Sequence, residues 1–170
     1  ELEIRLTEIE SRGQSVAIVG AKPDGNAPGQ VFGIIALGDN LRADARAAIE
    51  ALHASGIREL VMLSGDNQRT VDSIAREVGI DTARGELLPE DKVEAVKSLQ
   101  SKHGTVGMVG DGVNDAPALA AASVGIAMGA AGTDAAIETA DIALMQDNLG
   151  MIAEAVRTGR RTLGIIRFNI

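Results

Sequence analysis

Cysteine, tryptophan and tyrosine are all missing from the 170 residues, and Phe32 and Phe168 are the two phenyl rings in the chain. Without cysteine there is neither a disulfide framework nor a thiolate metal site, a composition that suits a reducing compartment. Without aromatics the core has to be assembled from Val, Ile, Leu, Met and Ala. Basic excess is missing too: the net charge is −8, which argues against nucleic acid as the main partner. No apolar run approaches the roughly 18 residues that a membrane span needs, and no signal peptide is visible. The chain opens at Glu1 rather than Met and closes inside LGIIRFNI, so both ends are expected to be cut.

What is there reads as a globular α/β chain with one sizeable core and a small appendage. Short apolar runs, VFGIIAL (31–37), ELVMLS (59–64), TVGMVG (105–110), VGIAMG (124–129) and DIALM (141–145), are apolar on consecutive positions. That pattern predicts strands covered on both faces in a parallel sheet. Amphipathic stretches alternate with them. RADARAAIEALHASG ends at Gly56, RTVDSIAREVG ends at Gly79, and PEDKVEAVKSLQ starts with Pro89 and acids in its first turn. The fold expected is a doubly wound parallel sheet. Residues 1–30 differ: a helical piece, a strand SVAIVG and a breaker-rich hairpin loop, AKPDGNAPGQ. After Glu154 no acid appears while Arg157, Arg160, Arg161 and Arg167 do, as in a basic stalk approaching a bilayer or in a solvated basic helix. His53 and His103 are expected in solvent, without a ligand role.

The chemistry concentrates in MVGDGVNDAPALA, residues 108–120. In open α/β sheets ligands bind at the carboxyl ends of strands, and there Asp111 and Asp115 flank a Gly-Val-Asn turn. Two carboxylates suit a hard cation such as Mg²⁺. Asn114 offers an amide to a phosphoryl oxygen, and Gly110 and Gly112 permit close approach of the backbone. A plainer account makes Asp115 an ordinary N-cap. A second strand end carries Ser64, Gly65 and Asp66; a third candidate is Lys92 at a helix start, and a fourth is Asp39 with Arg42 in GDNLR.

A strand-end serine, then a lysine, then Asp-x-x-x-Asp, in this order through a β-α alternation, resembles the haloacid dehalogenase superfamily. From about Val31 to Ile170 the chain is similar to the phosphorylation domain of P-type cation-transporting ATPases. GDGVNDAP carries most of that resemblance and GTDAAIETADIALM (132–145) adds to it. The resemblance implies that Asp111 binds Mg²⁺ with Asp115, and that Asn114 and Asp115 support the phosphoryl site. It implies that Ser64 hydrogen-bonds the transferred phosphoryl and that Lys92 neutralises its oxygens. Gly65 and Asp66 would lie near the ATP phosphates, and Asp39 and Arg42 would contact the nucleotide. Ser64 departs from the family, which usually has threonine there.

By the same resemblance, 1–30 is the C-terminal piece of a nucleotide-binding domain and hinge, 31–148 the phosphorylation domain, and 149–170 a stalk helix leading into a membrane span. The parent would be a heavy-metal pump of the zinc/cadmium rather than copper type, with its cytoplasmic part on a prokaryotic plasma membrane. Its partners would be ATP, the transported metal ion, an actuator domain, the rest of the nucleotide-binding domain and membrane helices. The family's phosphoryl acceptor, the aspartate of D-K-T-G-T, is nowhere in the sequence. Asp66 mimics its spacing to Thr70, but Gln68 stands where the superfamily keeps Asp or Thr. The acceptor's strand belongs in the middle of the sheet, so the expected fold lacks its central strand and the isolated chain is expected to be inactive. Two other readings fit the residues: a soluble phosphatase of the same superfamily, and a non-catalytic module that binds Mg²⁺ or nucleotide.

Overall fold

The computed structural model describes residues 2–11, 14–22, 29–37, 41–111, 114–129 and 138–168. The elements run α1 (Leu2–Glu10), β1 (Ser15–Ala21), β2 (Gln30–Leu37), α2 (Ala45–Ala54), β3 (Val61–Leu63), α3 (Gln68–Val78) and β4 (Thr82–Arg84). They continue as α4 (Pro89–His103), β5 (Gly107–Gly110), α5 (Ala116–Ala121), β6 (Val124–Met128), β7 (Ile142–Leu144) and α6 (Gly150–Phe168). The chain divides into two units, one of residues 1–43 and 59–86, the other of 44–58 and 87–170.

In the first unit β3 and β4 pair in parallel, Val61 opposite Thr82, joined through α3. The helix is set at both ends by its sequence: Asn67 caps the start through Oδ1, which accepts the Thr70 N–H at 2.9 Å. Gly79, at φ 87, ends it in the left-handed conformation that glycine adopts without steric cost. Thr70, Val71, Ala75 and Val78 form its buried face. Its outer side holds α1: the Arg69 guanidinium reaches Glu10 at 3.0 Å and Thr7 at 3.2 Å, and the Ser73 hydroxyl donates to the Ser11 carbonyl.

The run at 31–37 departs from expectation. It pairs antiparallel with β1, Ser15 opposite Leu37, instead of joining a parallel sheet. Phe32, Ile35 and Leu37 are exposed. Consecutive apolar positions say that both faces of a strand are apolar, not which strand lies beside it, and a hairpin partner was nearest in the chain.

The second unit carries a three-stranded parallel sheet in the order β5-β6-β7. Its core is made of small and aliphatic side chains, among them Ala95, Val96, Met108, Ala118, Leu119, Ile126, Ala127 and Leu144. Small residues let elements approach closely: a Cβ on Gly125 would stand 2.8 Å from the Leu119 carbonyl oxygen. Loops are tied in by side chains, with Asp141 accepting the Gly125 N–H at 2.8 Å and Gln100 donating to the Ala121 carbonyl at 3.0 Å. Helix α6 buries Ile152 and Ala153, while residues 157–168 are exposed. No helix among the described residues is long and apolar enough to cross a membrane.

Parallel pairing with α3 between β3 and β4 and α5 between β5 and β6 is the α/β architecture expected. Among the described residues β3 and β5 each have one hydrogen-bonded neighbour, β4 and β6 respectively. Strand β4 was not foreseen, because Thr-Ala-Arg has no apolar run to announce it. His53 and His103, expected in solvent, are both half-buried.

Candidate functional site

The carboxyl end of β5 is built by three local choices. Gly110 closes the strand, and a Cβ there would lie 2.9 Å from both Cβ and Oδ2 of Asp115. Glycine is therefore what allows the Asp115 side chain to lie over the strand end. Asp115 occupies the N-cap position of α5, yet its carboxylate makes no cap bond. Instead Oδ1 accepts from Nζ of Lys92 at 2.7 Å, the two side chains being 18% and 16% exposed. Third, Lys92 sits in the first turn of α4, where Pro89 fits the helix start and the Asp91 carboxylate turns back to accept the Leu88 N–H at 2.9 Å. The plain N-cap account of Asp115 thus gives way to an ion pair between two helix starts. Asp111 and Asn114, near Asp115 in the chain, are both exposed. Gly112 lies outside the described residues.

In the other unit, the loop after β3 has its own closed hydrogen-bond set. Ser64 donates its N–H to the Arg84 carbonyl at 2.9 Å and its hydroxyl to Oδ2 of Asp66 at 2.9 Å. The Asp66 N–H returns to Ser64 Oγ at 3.2 Å. Gly65 and Asp66 are exposed and Ser64 is half-buried. Arg42 is exposed just before α2, and Asp39 lies outside the described residues.

Of the candidate residues, then, Lys92 and Asp115 are in direct contact, with Asp111 and Asn114 in the same turn. Ser64, Gly65 and Asp66 form a separate loop in the first unit. Gln68, Gly85 and Glu86, which the sequence did not single out as site residues, hold that loop. No spacing signal could have found them, since they meet across 17 residues through an amide side chain.

No group of three or more His, Cys, Asp or Glu able to hold a metal occurs among the described residues. Mg²⁺ does not need one: it is commonly held by one or two carboxylates with waters and substrate phosphates completing the shell. An exposed Asp111 beside a lysine-paired Asp115 fits that donor pattern. It does not fit a cage made wholly of protein ligands.

Residues 1–123 match the model of the family described as haloacid dehalogenase-like hydrolase. The chain belongs to that family. The chain is 46% identical over all 170 residues to a probable cadmium-transporting ATPase of Staphylococcus aureus, of which it covers 23%. It is 50% identical over 141 residues, 83% of its length, to a manganese-exporting P-type ATPase of Mycobacterium tuberculosis, covering 20% of that protein. Among solved structures it matches a zinc-transporting PIB-type ATPase with a TM-score of 0.77 and 47% identity, over 99% of this chain and 26% of that one. The chain spans about a quarter of the length of the curated relatives it matches, or less. The likeness to P-type ATPases read from GDGVNDAP is borne out along the whole chain.

Proposed function

We propose that this chain is the phosphorylation unit, with a strip of the adjoining nucleotide-binding unit, of an ATP-driven pump for a divalent transition-metal ion. The observation that carries the reading is the Lys92–Asp115 pair at the carboxyl end of β5, beside Asp111, in a chain that resembles zinc- and cadmium-transporting ATPases end to end.

The roles follow from the chemistry of the side chains. Lys92, oriented by Asp115, places a positive charge where a transferring phosphoryl group gathers negative charge. Ser64 offers a hydroxyl donor to a phosphoryl oxygen, and Asn114 an amide. Asp111, assisted by Asp115, would hold Mg²⁺. When bound, Mg²⁺ supplies neutralisation and orientation of the phosphate oxygens. Asp66 and Gly65 face the ATP phosphates, and Asp39 and Arg42 contact the nucleotide. The acceptor aspartate lies outside these 170 residues, so the chain by itself turns over no ATP through a covalent intermediate. In the parent, α6 leads from the cytoplasmic unit toward the membrane.

The ion is set elsewhere. Relatives named for cadmium and for manganese match most of the chain at similar identity, which supports reading these residues as serving phosphoryl transfer rather than the choice of cargo. We place the parent with the zinc/cadmium pumps. The test is ATP hydrolysis by the full-length gene product in membrane vesicles, with each metal added in turn. Stimulation by Zn²⁺ or Cd²⁺ exceeding that by Cu⁺ supports the proposal. Hydrolysis of phosphate esters with no response to any metal ion favours the soluble-phosphatase alternative.

A further inference from the structure

Gln68 follows the cap residue Asn67, and each end of its side-chain amide is engaged. Oε1 accepts the N–H of Gly85 at 2.6 Å, while Nε2 donates to the Ala83 carbonyl at 3.2 Å and to Oδ1 of Asp72 at 2.7 Å. Gly85 is there for want of space: a Cβ would stand 2.7 Å from the Asp66 carbonyl oxygen and 2.8 Å from N and Cα of Gln68. The next residue, Glu86, stands at φ 58, the one non-glycine with positive φ among the described residues. That conformation is disfavoured for glutamate and persists only where the surroundings over-determine it. Here its N–H donates to the Asp66 carbonyl at 2.6 Å. With the bond from the Ser64 N–H to the Arg84 carbonyl, the loop 64–68 is fastened to residues 83–86 at Ser64, Asp66 and Gln68.

We infer that Gln68 is a positioning residue: through Gly85 it clamps the Ser64-Gly65-Asp66 loop to the end of β4 and so fixes the direction of the Ser64 hydroxyl. Gln68 itself touches no substrate. The inference rests on the proposal above that Ser64 meets the phosphoryl group. Misplacing a donor by a fraction of an ångström is costly when the donor acts on a transition state. The clamp also explains the strained Glu86, whose turn brings a backbone N–H onto Asp66.

The experiment is a double-mutant cycle in the full-length gene product, with Gln68→Ala, Ser64→Ala and the pair, read as metal-stimulated ATP hydrolysis. Gln68→Ala is expected to lower kcat about tenfold with the KM for ATP nearly unchanged, as for an interaction made in the transition state. In the Ser64→Ala background the same change is expected to cost under about twofold, because the group it positions is gone. A wild-type kcat in Gln68→Ala, or an equal loss in both backgrounds, overturns the inference. Hydrogen exchange over residues 84–86 of the same variants reads the clamp without activity. Exchange at Gly85 is expected to rise at least about tenfold in Gln68→Ala, and an unchanged rate overturns the clamp. A wild type with no ATP hydrolysis defeats the proposed function, and the positioning role with it, whatever the exchange shows.

Discussion

The ammonium of Lys92 and the carboxylate of Asp115 meet at 2.7 Å across 23 residues of sequence, with little of either side chain in solvent. Each is the reason the other can be sheltered at the mouth of the sheet. Removing one partner leaves a partly buried charge with its compensation lost. Lys92→Met is therefore expected to destabilise the chain by about 1–3 kcal/mol. Asp115→Asn is expected to cost less, because the amide oxygen still accepts from the ammonium. Urea unfolding of the variants beside the parent chain measures both, and an unchanged midpoint for Lys92→Met would mean that the pair adds nothing to stability.

Two glycines of β5 should behave differently although they share a strand. Gly110→Ala drives a methyl to within 2.9 Å of the Asp115 side chain, whereas a Cβ on Gly107 meets nothing nearer than 3.8 Å. The first is expected to cost about 1–3 kcal/mol by overpacking and to weaken the contact with Lys92. The second is expected to be neutral or slightly stabilising, since alanine has less backbone entropy to lose. Equal effects in thermal unfolding would contradict the close approach at Gly110.

Elsewhere in the second unit, Arg160 of α6 donates to the carbonyls of Ser55 and Gly56, which close α2. A cation there offsets the negative helix end. Gly56 has φ 89, and a Cβ on it would meet the Arg160 guanidinium at 2.5 Å. Gly129 offers the control, with φ 73 and nothing within 4 Å of its would-be Cβ. Gly129→Ala is expected to lose about 1–2 kcal/mol from backbone strain alone. Gly56→Ala is expected to lose more, and the excess to vanish in an Arg160→Ala background. Additive effects would mean that the guanidinium is not seated at Gly56.

Much of this was legible in the chain, and the gaps have physical causes. The helix ends at Gly56 and Gly79 could be read because left-handed caps require glycine. Strands β5, β6 and β7 could be read because their apolar runs are bounded by turns. The pairing of residues 31–37 could not, since a strand apolar on both faces fits a parallel neighbour or a hairpin equally well. Asp111, Asp115, Ser64 and Lys92 stood out by residue type at strand and helix ends. That Lys92 would engage Asp115, sparing it from the cap, depends on how α4 and α5 pack, and no local rule encodes that. Gln68 was invisible for a related reason: an amide bonded to backbone across a parallel pair leaves no periodicity.

Serine at position 64 carries the hydroxyl of the loop after β3, and threonine would keep that group. Ser64→Thr is expected to hold ATP hydrolysis in the full-length protein within about threefold. Ser64→Ala is expected to lose roughly ten- to hundredfold in kcat, the range for removing one donor to a developing negative charge. A Ser64→Ala protein as fast as the parent would take the hydroxyl out of the reaction.

Whether the end of β5 is one wall of a Mg²⁺–phosphoryl site is asked most directly by incubating the full-length protein with γ-labelled ATP. The expected product is an acid-stable, hydroxylamine-sensitive phosphoprotein whose formation depends on Mg²⁺. Asp111→Asn is expected to lower the label at least about tenfold at limiting Mg²⁺, through loss of a hard-cation ligand. A protein that takes up no label, or that labels equally well with Asp111→Asn at every Mg²⁺ concentration, would contradict that role for the end of β5.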